Sequence, residues 1–112
     1  IAYTELAAHL ETAHILIDAT PVGMASADDA VVPPKLLKQG LLRQGLVVFD
    51  AVYGHGETAL LKNAREVGAV AIDGLGMLIE QAALTIEIWA REQGTPVSAP
   101  RTLMRQAALK SP

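Results

Sequence analysis

The sequence contains no cysteine, which excludes a disulfide framework, a thiolate metal site and a cysteine nucleophile. Aromatic residues are also scarce, with one tryptophan, one phenylalanine and two tyrosines in 112 residues. No apolar run reaches the roughly 20 residues that a bilayer span requires. The longest candidate is interrupted by Glu80, Gln81 and Glu87. These absences are typical of a cytoplasmic protein in a reducing compartment, without a membrane partner.

The sequence also lacks a concentration of charge of one sign. Nine basic and twelve acidic residues are spread without a run and give a net charge of −3. Capture of nucleic acid requires a concentrated positive surface, so nucleic acid is not an expected partner. No carboxylate or second histidine stands at ligand spacing from His55, and no metal is expected. The chain opens on Ile1 without a signal peptide, and we expect that a preceding segment was removed.

What is present is an apolar composition of 51% arranged in alternating helical and strand patterns. Thr4 and Thr58 are candidate helix caps, and Gly68 is placed to end a helix. The patterns predict helices over residues 4–12, 34–42, 58–67, 76–92 and 98–109, and strands over residues 14–20, 46–53 and 69–73. The sequence therefore predicts strands that alternate with helices.

Nearly continuous apolar strands that alternate with helices predict a parallel sheet covered on both faces. A complete doubly wound sheet has about six strands and a glycine loop after the first, whereas this sequence predicts three strands and has no such loop. The predicted fold class is α/β: half of a Rossmann-like doubly wound parallel sheet, plus a C-terminal helix. We expect residues 1–94 to form the half-domain and residues 95–112 to form a tail helix that packs on another domain.

Ligands of open parallel sheets bind beyond the carboxyl ends of the strands. Here the three strand ends lead into the segments TPVGM, VYGHGET and DGLGM, which are rich in glycine. In the long helix, Met77, Gln81, Leu84 and Ile88 recur on one face, which puts the Gln81 amide one turn after Met77. These segments are the candidate site.

Three motifs carry a resemblance to a known family: DATPVGM, DAVYGHGETALL and GLGMLIEQAALTIEIW. In this order and spacing they closely resemble the C-terminal half of the shikimate dehydrogenase family, over about residues 15–89. The resemblance implies NADP-dependent reduction of 3-dehydroshikimate to shikimate in aromatic amino-acid biosynthesis. It also implies that the catalytic lysine and aspartate and the glycine loop lie outside this chain, so we expect the isolated chain to be inactive.

The resemblance also implies roles for individual residues. The substrate would be bound by Tyr53 and Gln81. The cofactor NADP would be contacted by Thr20, Pro21, Val52, Gly74 and Met77.

The sequence departs from the family pattern at two places. Asp18 stands where the family usually has asparagine, and Gly54-His55-Gly56 replaces an asparagine-proline-apolar sequence. Both departures leave open whether the substrate is shikimate or a related compound such as quinate. A different class also stays open: a non-catalytic interaction module that forms a homo-oligomer through its sheet edge or tail helix.

Simpler interpretations exist for several of these residues. Gln81 could be a polar group at an interface, and Tyr53 an ordinary aromatic at a strand end. For the others we expect structural roles: a helix cap at Thr58, turn or helix caps at Asp50 and Asp73, core packing by Trp89, and a solvated stripe formed by Glu80 and Glu87.

Overall fold

The computed structural model describes residues 3–54 and 56–110, and for Tyr3 and Thr4 the backbone alone. His55 lies outside the described residues. The elements follow the predicted order: α1 (Tyr3–Thr12), β1 (Ile15–Asp18), α2 (Pro34–Lys38), β2 (Val47–Asp50), α3 (Ala59–Glu66), β3 (Val70–Ile72), α4 (Leu75–Glu92) and α5 (Arg101–Lys110).

The first two strands end earlier than predicted, and each ends at an aspartate. The Asp18 carboxylate accepts a hydrogen bond from the backbone N–H of Thr20 at 2.8 Å. The Asp50 carboxylate accepts the equivalent bond from Val52 N–H at 2.9 Å. A side chain that bonds the backbone two residues ahead forms a turn, and this removes the following residues from the strand.

Several helix boundaries also differ from the prediction, and the start of α1 and the end of α2 are two of them. α1 begins at Tyr3, so Thr4 lies inside the helix rather than at its cap. α2 ends at Lys38 rather than at residue 42 because the chain turns at Gly40, which has a φ of 80°. The predicted cap at Thr58 is confirmed, because its hydroxyl accepts a hydrogen bond from Leu61 N–H.

Within the described residues the sheet consists of three parallel strands in the order β1-β2-β3. Ile15, Val47 and Val70 are neighbours across the strands, and Asp18 lies beside Asp50. This arrangement, with its flanking helices, confirms the predicted half of a Rossmann-like doubly wound sheet.

One face of the sheet is covered and carries the core. Leu46 and Val48 are completely buried there, and burying such a side chain stabilises the fold by roughly 1.5–3 kcal/mol. The rest of this cluster comes from the helices and from the loops beside α2: Leu10, Val32, Leu37, Leu42, Leu60, Leu61 and Ala64. The helix α3 therefore buries the face that carries Leu60, Leu61 and Ala64.

The other face of the sheet is largely exposed. Side chains alternate between the two faces of a strand, and the alternate residues Ile15, Ile17, Val70 and Ile72 are all exposed. The prediction of a sheet covered on both faces is therefore wrong for this chain. Periodicity identified the strands as apolar but did not show which face the chain itself covers.

The chain divides into two compact units, Ile1–Gly74 and Leu75–Pro112. The second unit contains α4 and α5. In it Leu75, Ile79 and Ala83 are buried on α4, whereas none of the residues Arg101–Lys110 is buried. The assignment of residues 95–112 to a surface that packs on another domain stays a prediction.

Two predictions in the second unit are wrong. Trp89 is 65% exposed rather than core, because at 3.6 residues per turn it lies about 80° around the helix from Ile79. Glu80 and Glu87 do not form a merely solvated stripe. Both carboxylates bind the guanidinium of Arg101.

Candidate functional site

A cleft of about 260 Å³ lies at the carboxyl ends of β1 and β2. It is lined by Ala19, Thr20, Pro21, Met24, Ala51, Val52 and Tyr53. Four of the predicted site residues, Thr20, Pro21, Val52 and Tyr53, are therefore brought together from segments about thirty residues apart in the chain. This is the position at which open parallel sheets bind ligands.

A tight turn after β1 builds the first wall of the cleft. Thr20 N–H donates to Asp18, and the Thr20 hydroxyl accepts from Val22 N–H at 3.3 Å. Met24 N–H then donates to the Pro21 carbonyl at 3.1 Å. The turn needs Gly23 because its φ is 100°, in a region that side chains disfavour. Thr20 and Pro21 are left exposed at the surface of this turn.

The segment after β2 builds the second wall. Val52 is buried, and its backbone is held on both sides: its N–H donates to Asp50, and its carbonyl accepts from Gly74 N–H at 3.3 Å. Tyr53 follows and is 41% exposed, so its phenol is available to a ligand. The chain continues into Gly54, which has a φ of 98°.

Gly74 lies where two backbone segments meet. A Cβ atom at this position would lie 1.9 Å from the carbonyl oxygen of Ala51. The glycine therefore permits the backbone after β3 to pack directly against the backbone after β2. The cofactor contact expected of Gly74 stays a prediction.

Met77 and Gln81 lie on α4, in the second unit. Met77, Gln81, Leu84 and Ile88 are all exposed, as expected for residues that share one helix face. The Thr85 hydroxyl donates to the Gln81 backbone carbonyl at 2.7 Å. Both side chains are accessible, and their binding roles stay predictions.

Asp18 and Asp50 are buried side by side at the ends of β1 and β2. Both oxygens of Asp50 are bonded, to Val52 N–H and to the Thr58 hydroxyl. One oxygen of Asp18 bonds Thr20 N–H, but Oδ2 has no hydrogen-bond partner among the described residues. The expected structural role of Asp50 is confirmed by these contacts.

The other surfaces were compared with the predicted site, metal and membrane features. A larger recess, of about 330 Å³, lies between α1 and the segment that follows α2, and none of the predicted site residues lines it. Within residues 3–54 and 56–110, no three histidine, aspartate or glutamate side chains converge as metal ligands. None of the helices in the same ranges combines the length and the apolarity of a bilayer-spanning segment.

Sequence reasoning missed two parts of the site. Met24 lines the cleft, and its position in the TPVGM segment was the available signal. The bond from the Thr58 hydroxyl to Asp50 joins residues eight positions apart, and periodicity carries no signal for such a contact. Taken together, the fold and the cleft define the class of the protein: half of a doubly wound α/β sheet with a cleft at its strand ends.

Comparison with known proteins shows which proteins the chain resembles. The chain is 45% identical over 101 residues to the shikimate dehydrogenase (NADP(+)) of Pyrococcus furiosus, and this match covers 90% of the chain and 33% of the relative. It is 39% identical over 106 residues to that of Methanopyrus kandleri, covering 95% of the chain and 34% of the relative. No protein-family model matches the chain.

Solved structures agree with the sequence relatives. A crystal structure of shikimate dehydrogenase in complex with NADP+ superposes with a TM-score of 0.77 at 37% identity, over 93% of this chain and 33% of the other. The ligand-free 5-ketofructose reductase of Gluconobacter sp. strain CHM43 gives a TM-score of 0.69 at 30% identity, over 85% of this chain and 31% of the other. The chain is thus similar over at least nine tenths of its length to shikimate dehydrogenases, and it spans about a third of the length of the curated relatives it matches.

Proposed function

We propose that this chain is the C-terminal segment of an NADP-dependent shikimate dehydrogenase, which reduces 3-dehydroshikimate to shikimate in aromatic amino-acid biosynthesis. The observation that carries the proposal is the cleft at the ends of β1 and β2, because it gathers residues of two of the family motifs. The chain would supply the nicotinamide side of the active site and part of the substrate side.

The cleft suits the flat ring of a nicotinamide better than it suits a pyrophosphate. Pro21, Met24 and Val52 offer an apolar wall, and the exposed Tyr53 lies at its margin. A pyrophosphate is usually held by a glycine loop at a helix N-terminus, and this sequence has no such loop. The reduced cofactor, NADPH, would supply the hydride, and the residues of this chain would hold and orient its ring.

Two polar side chains are proposed as substrate contacts. Tyr53 and Gln81 are both exposed. A phenol and an amide can donate to the carboxylate of a polyhydroxy acid, and an amide oxygen can also accept from a hydroxyl. Met77, on the same helix face as Gln81, and Gly74 are proposed to contact the nicotinamide ring and its carboxamide.

Catalysis of proton transfer is proposed to need groups outside this chain. Asp18 and Asp50 are the nearest carboxylates to the cleft in the chain sequence, but both are buried and neither lines it. A general acid must reach the reacting oxygen within hydrogen-bonding distance. We therefore expect no dehydrogenase activity from the isolated chain.

A chimera tests this function directly. In it, the chain replaces the matching third of the Pyrococcus furiosus enzyme, and the initial rate of NADP+ reduction is measured with shikimate, with NAD+ as the alternative cofactor. We expect activity with shikimate and NADP+, and a raised KM for shikimate in the Gln81→Ala variant. A chimera that folds with the thermal stability of its parent but is inactive would refute the proposal.

A relative with a changed substrate is the second candidate. The similarity to a 5-ketofructose reductase and the presence of Asp18 in place of the usual asparagine favour it. The same chimera distinguishes the two candidates when quinate and 5-ketofructose replace shikimate and 3-dehydroshikimate in the assay. A higher kcat/KM for either of these compounds would transfer the proposal to that substrate.

We further propose a cytoplasmic protein that does not bind nucleic acid or membrane, on the grounds of its net charge of −3. Self-association is proposed through the outer edge of β1, an edge strand with Ile15 and Ile17 exposed. If the chain serves only as an interaction module, sedimentation should show a dimer even though the chimera is inactive. A monomer at high concentration would exclude that role.

A further inference from the structure

The Thr58 side chain contacts both walls of the cleft. Its hydroxyl donates to Asp50 Oδ2 at 2.6 Å, on the side of β2. Its methyl group lies beside Gly23 in the turn after β1, where an added Cβ atom would meet it at 3.1 Å. Thr58 is buried, so water does not compete for either contact. One side chain therefore sets the distance between two turns that belong to different strands.

Asp50 connects Thr58 to the segment that lines the cleft, because it is hydrogen-bonded to both. It is 1% exposed, and its second oxygen accepts from Val52 N–H at 2.9 Å. Hydrogen bonds to a buried carboxylate are stronger than those between neutral groups. The Val52 peptide is also fixed through its carbonyl by Gly74 N–H. Val52 is thus held while the next residue, Tyr53, is exposed.

We propose that Asp50 and Thr58 are positioning residues for cofactor binding, which hold Val52 and the turn at Gly23 at the separation that the nicotinamide ring requires. This inference rests on the function proposed above. A role as helix cap, which Thr58 also has, would affect folding alone. A positioning role must in addition change the affinity for NADP+.

Two substitutions of Thr58 separate its two contacts. Thr58→Val keeps the methyl group beside Gly23 and removes the hydroxyl, whereas Thr58→Ser keeps the hydroxyl and removes the methyl group. In the active chimera we expect Thr58→Val to raise the KM for NADP+ roughly tenfold, the size of effect typical for loss of a bond to a buried charge. The KM for shikimate should stay within about twofold, and Thr58→Ser should raise the KM for NADP+ by a smaller factor than Thr58→Val, because it loses only the methyl contact beside Gly23.

Amide hydrogen exchange in the 112-residue chain gives a readout that does not need activity. The Val52 amide should exchange slowly in the wild-type chain and in Thr58→Ser. It should exchange roughly tenfold faster in Thr58→Val, which frees the Asp50 carboxylate from its bond to residue 58. In Asp50→Ala, which removes the acceptor itself, exchange should be faster by a similar factor or more. Lys62→Gln, at an exposed position of α3, is the control variant and should leave both the exchange and the KM values unchanged.

The outcomes separate this inference from the proposed function. An inactive wild-type chimera would refute the function, while the exchange of Val52 would still measure the restraint. Unchanged exchange of Val52 in both Thr58→Val and Asp50→Ala would overturn the inference. A folded, active Thr58→Val chimera with a normal KM for NADP+ would also overturn it, because the hydroxyl would then act as a helix cap alone.

Discussion

The two units of the chain are stabilised by different interactions. In the first, Ile1–Gly74, Leu46, Val48 and Ala64 are completely buried, and the polar groups at the strand ends are bonded to backbone and to each other. In the second, Leu75–Pro112, α5 has no buried residue and is joined to α4 by Arg101 and two glutamates. The stability of the first unit should therefore depend mainly on the size and shape of its buried residues. The contact between α5 and α4 in the second unit should depend mainly on the charges of Arg101 and the two glutamates.

The largest effect is expected where two backbones touch in the first unit. Gly74→Ala would place a Cβ atom 1.9 Å from the Ala51 carbonyl oxygen, and backbone atoms cannot move aside as a flexible side chain can. We expect loss of the cooperative thermal transition measured by circular dichroism. Gly76→Ala, in α4, is the matched control, because its nearest neighbour would be the Arg105 side chain at 3.6 Å. Equal melting temperatures for the two variants would contradict the packing described here.

A core truncation comes next in size. Leu46 is fully buried, and Leu46→Ala should lower the free energy of unfolding by about 2–5 kcal/mol, because it removes apolar contacts and leaves a cavity. Leu103 has the same side chain on α5 but is 64% exposed, and Leu103→Ala should cost less than about 0.5 kcal/mol. Urea denaturation of both variants measures the difference. A similar cost for the two would mean that α5 is buried against a second copy of the chain.

Acid should weaken the contact between α5 and α4. The hydrogen bond from Arg101, together with that from Ala99 N–H, lowers the pKa of Glu87 from 4.5 to about 2. Because the pKa is depressed in the folded state, this stabilisation is complete above pH 4.5 and is lost as the pH falls towards 2. Amide exchange in α5 should therefore accelerate over this range.

The variant Glu87→Gln sharpens the acid prediction. It removes the charge but keeps the size, so exchange in α5 should be faster at neutral pH and should lose its dependence on pH between 4.5 and 2. Glu80→Gln, whose side chain is more exposed, should have a weaker effect of the same sign. If the Glu87→Gln variant kept the wild-type pH profile, another carboxylate would be the group that titrates.

The smallest effect on folding is expected on the exposed face of the sheet. Ile17→Thr replaces an apolar β-branched residue by a polar β-branched one at an exposed position. It should alter the free energy of unfolding by less than about 0.5 kcal/mol. If β1 is the surface of self-association, the same variant should weaken the dimer in sedimentation experiments. A dimer of unchanged strength would remove β1 from the contact and leave α5 as the candidate.

The order and the type of every element could be predicted from the sequence, because apolar periodicity and caps are local features. Thr58 and Gly68 bound α3 as expected. The candidate site could be found in part, since ligands of this fold bind at the strand ends, and Thr20, Pro21, Val52 and Tyr53 do line one cleft. Trp89 was misplaced because an apolar side chain on a mostly apolar helix carries no sign of which face is covered.

The sequence by itself determined the parallel α/β pattern, the family resemblance and the order of the helices and strands. These properties depend on residues that are close together in the chain, where spacing and chemistry decide the local structure. Only the tertiary structure decided why Gly74 must be a glycine, that Thr58 contacts both walls of the cleft, and that Glu87 is bonded to Arg101. Each of these depends on which distant atoms meet, and that is set by the packing of the folded chain rather than by local sequence.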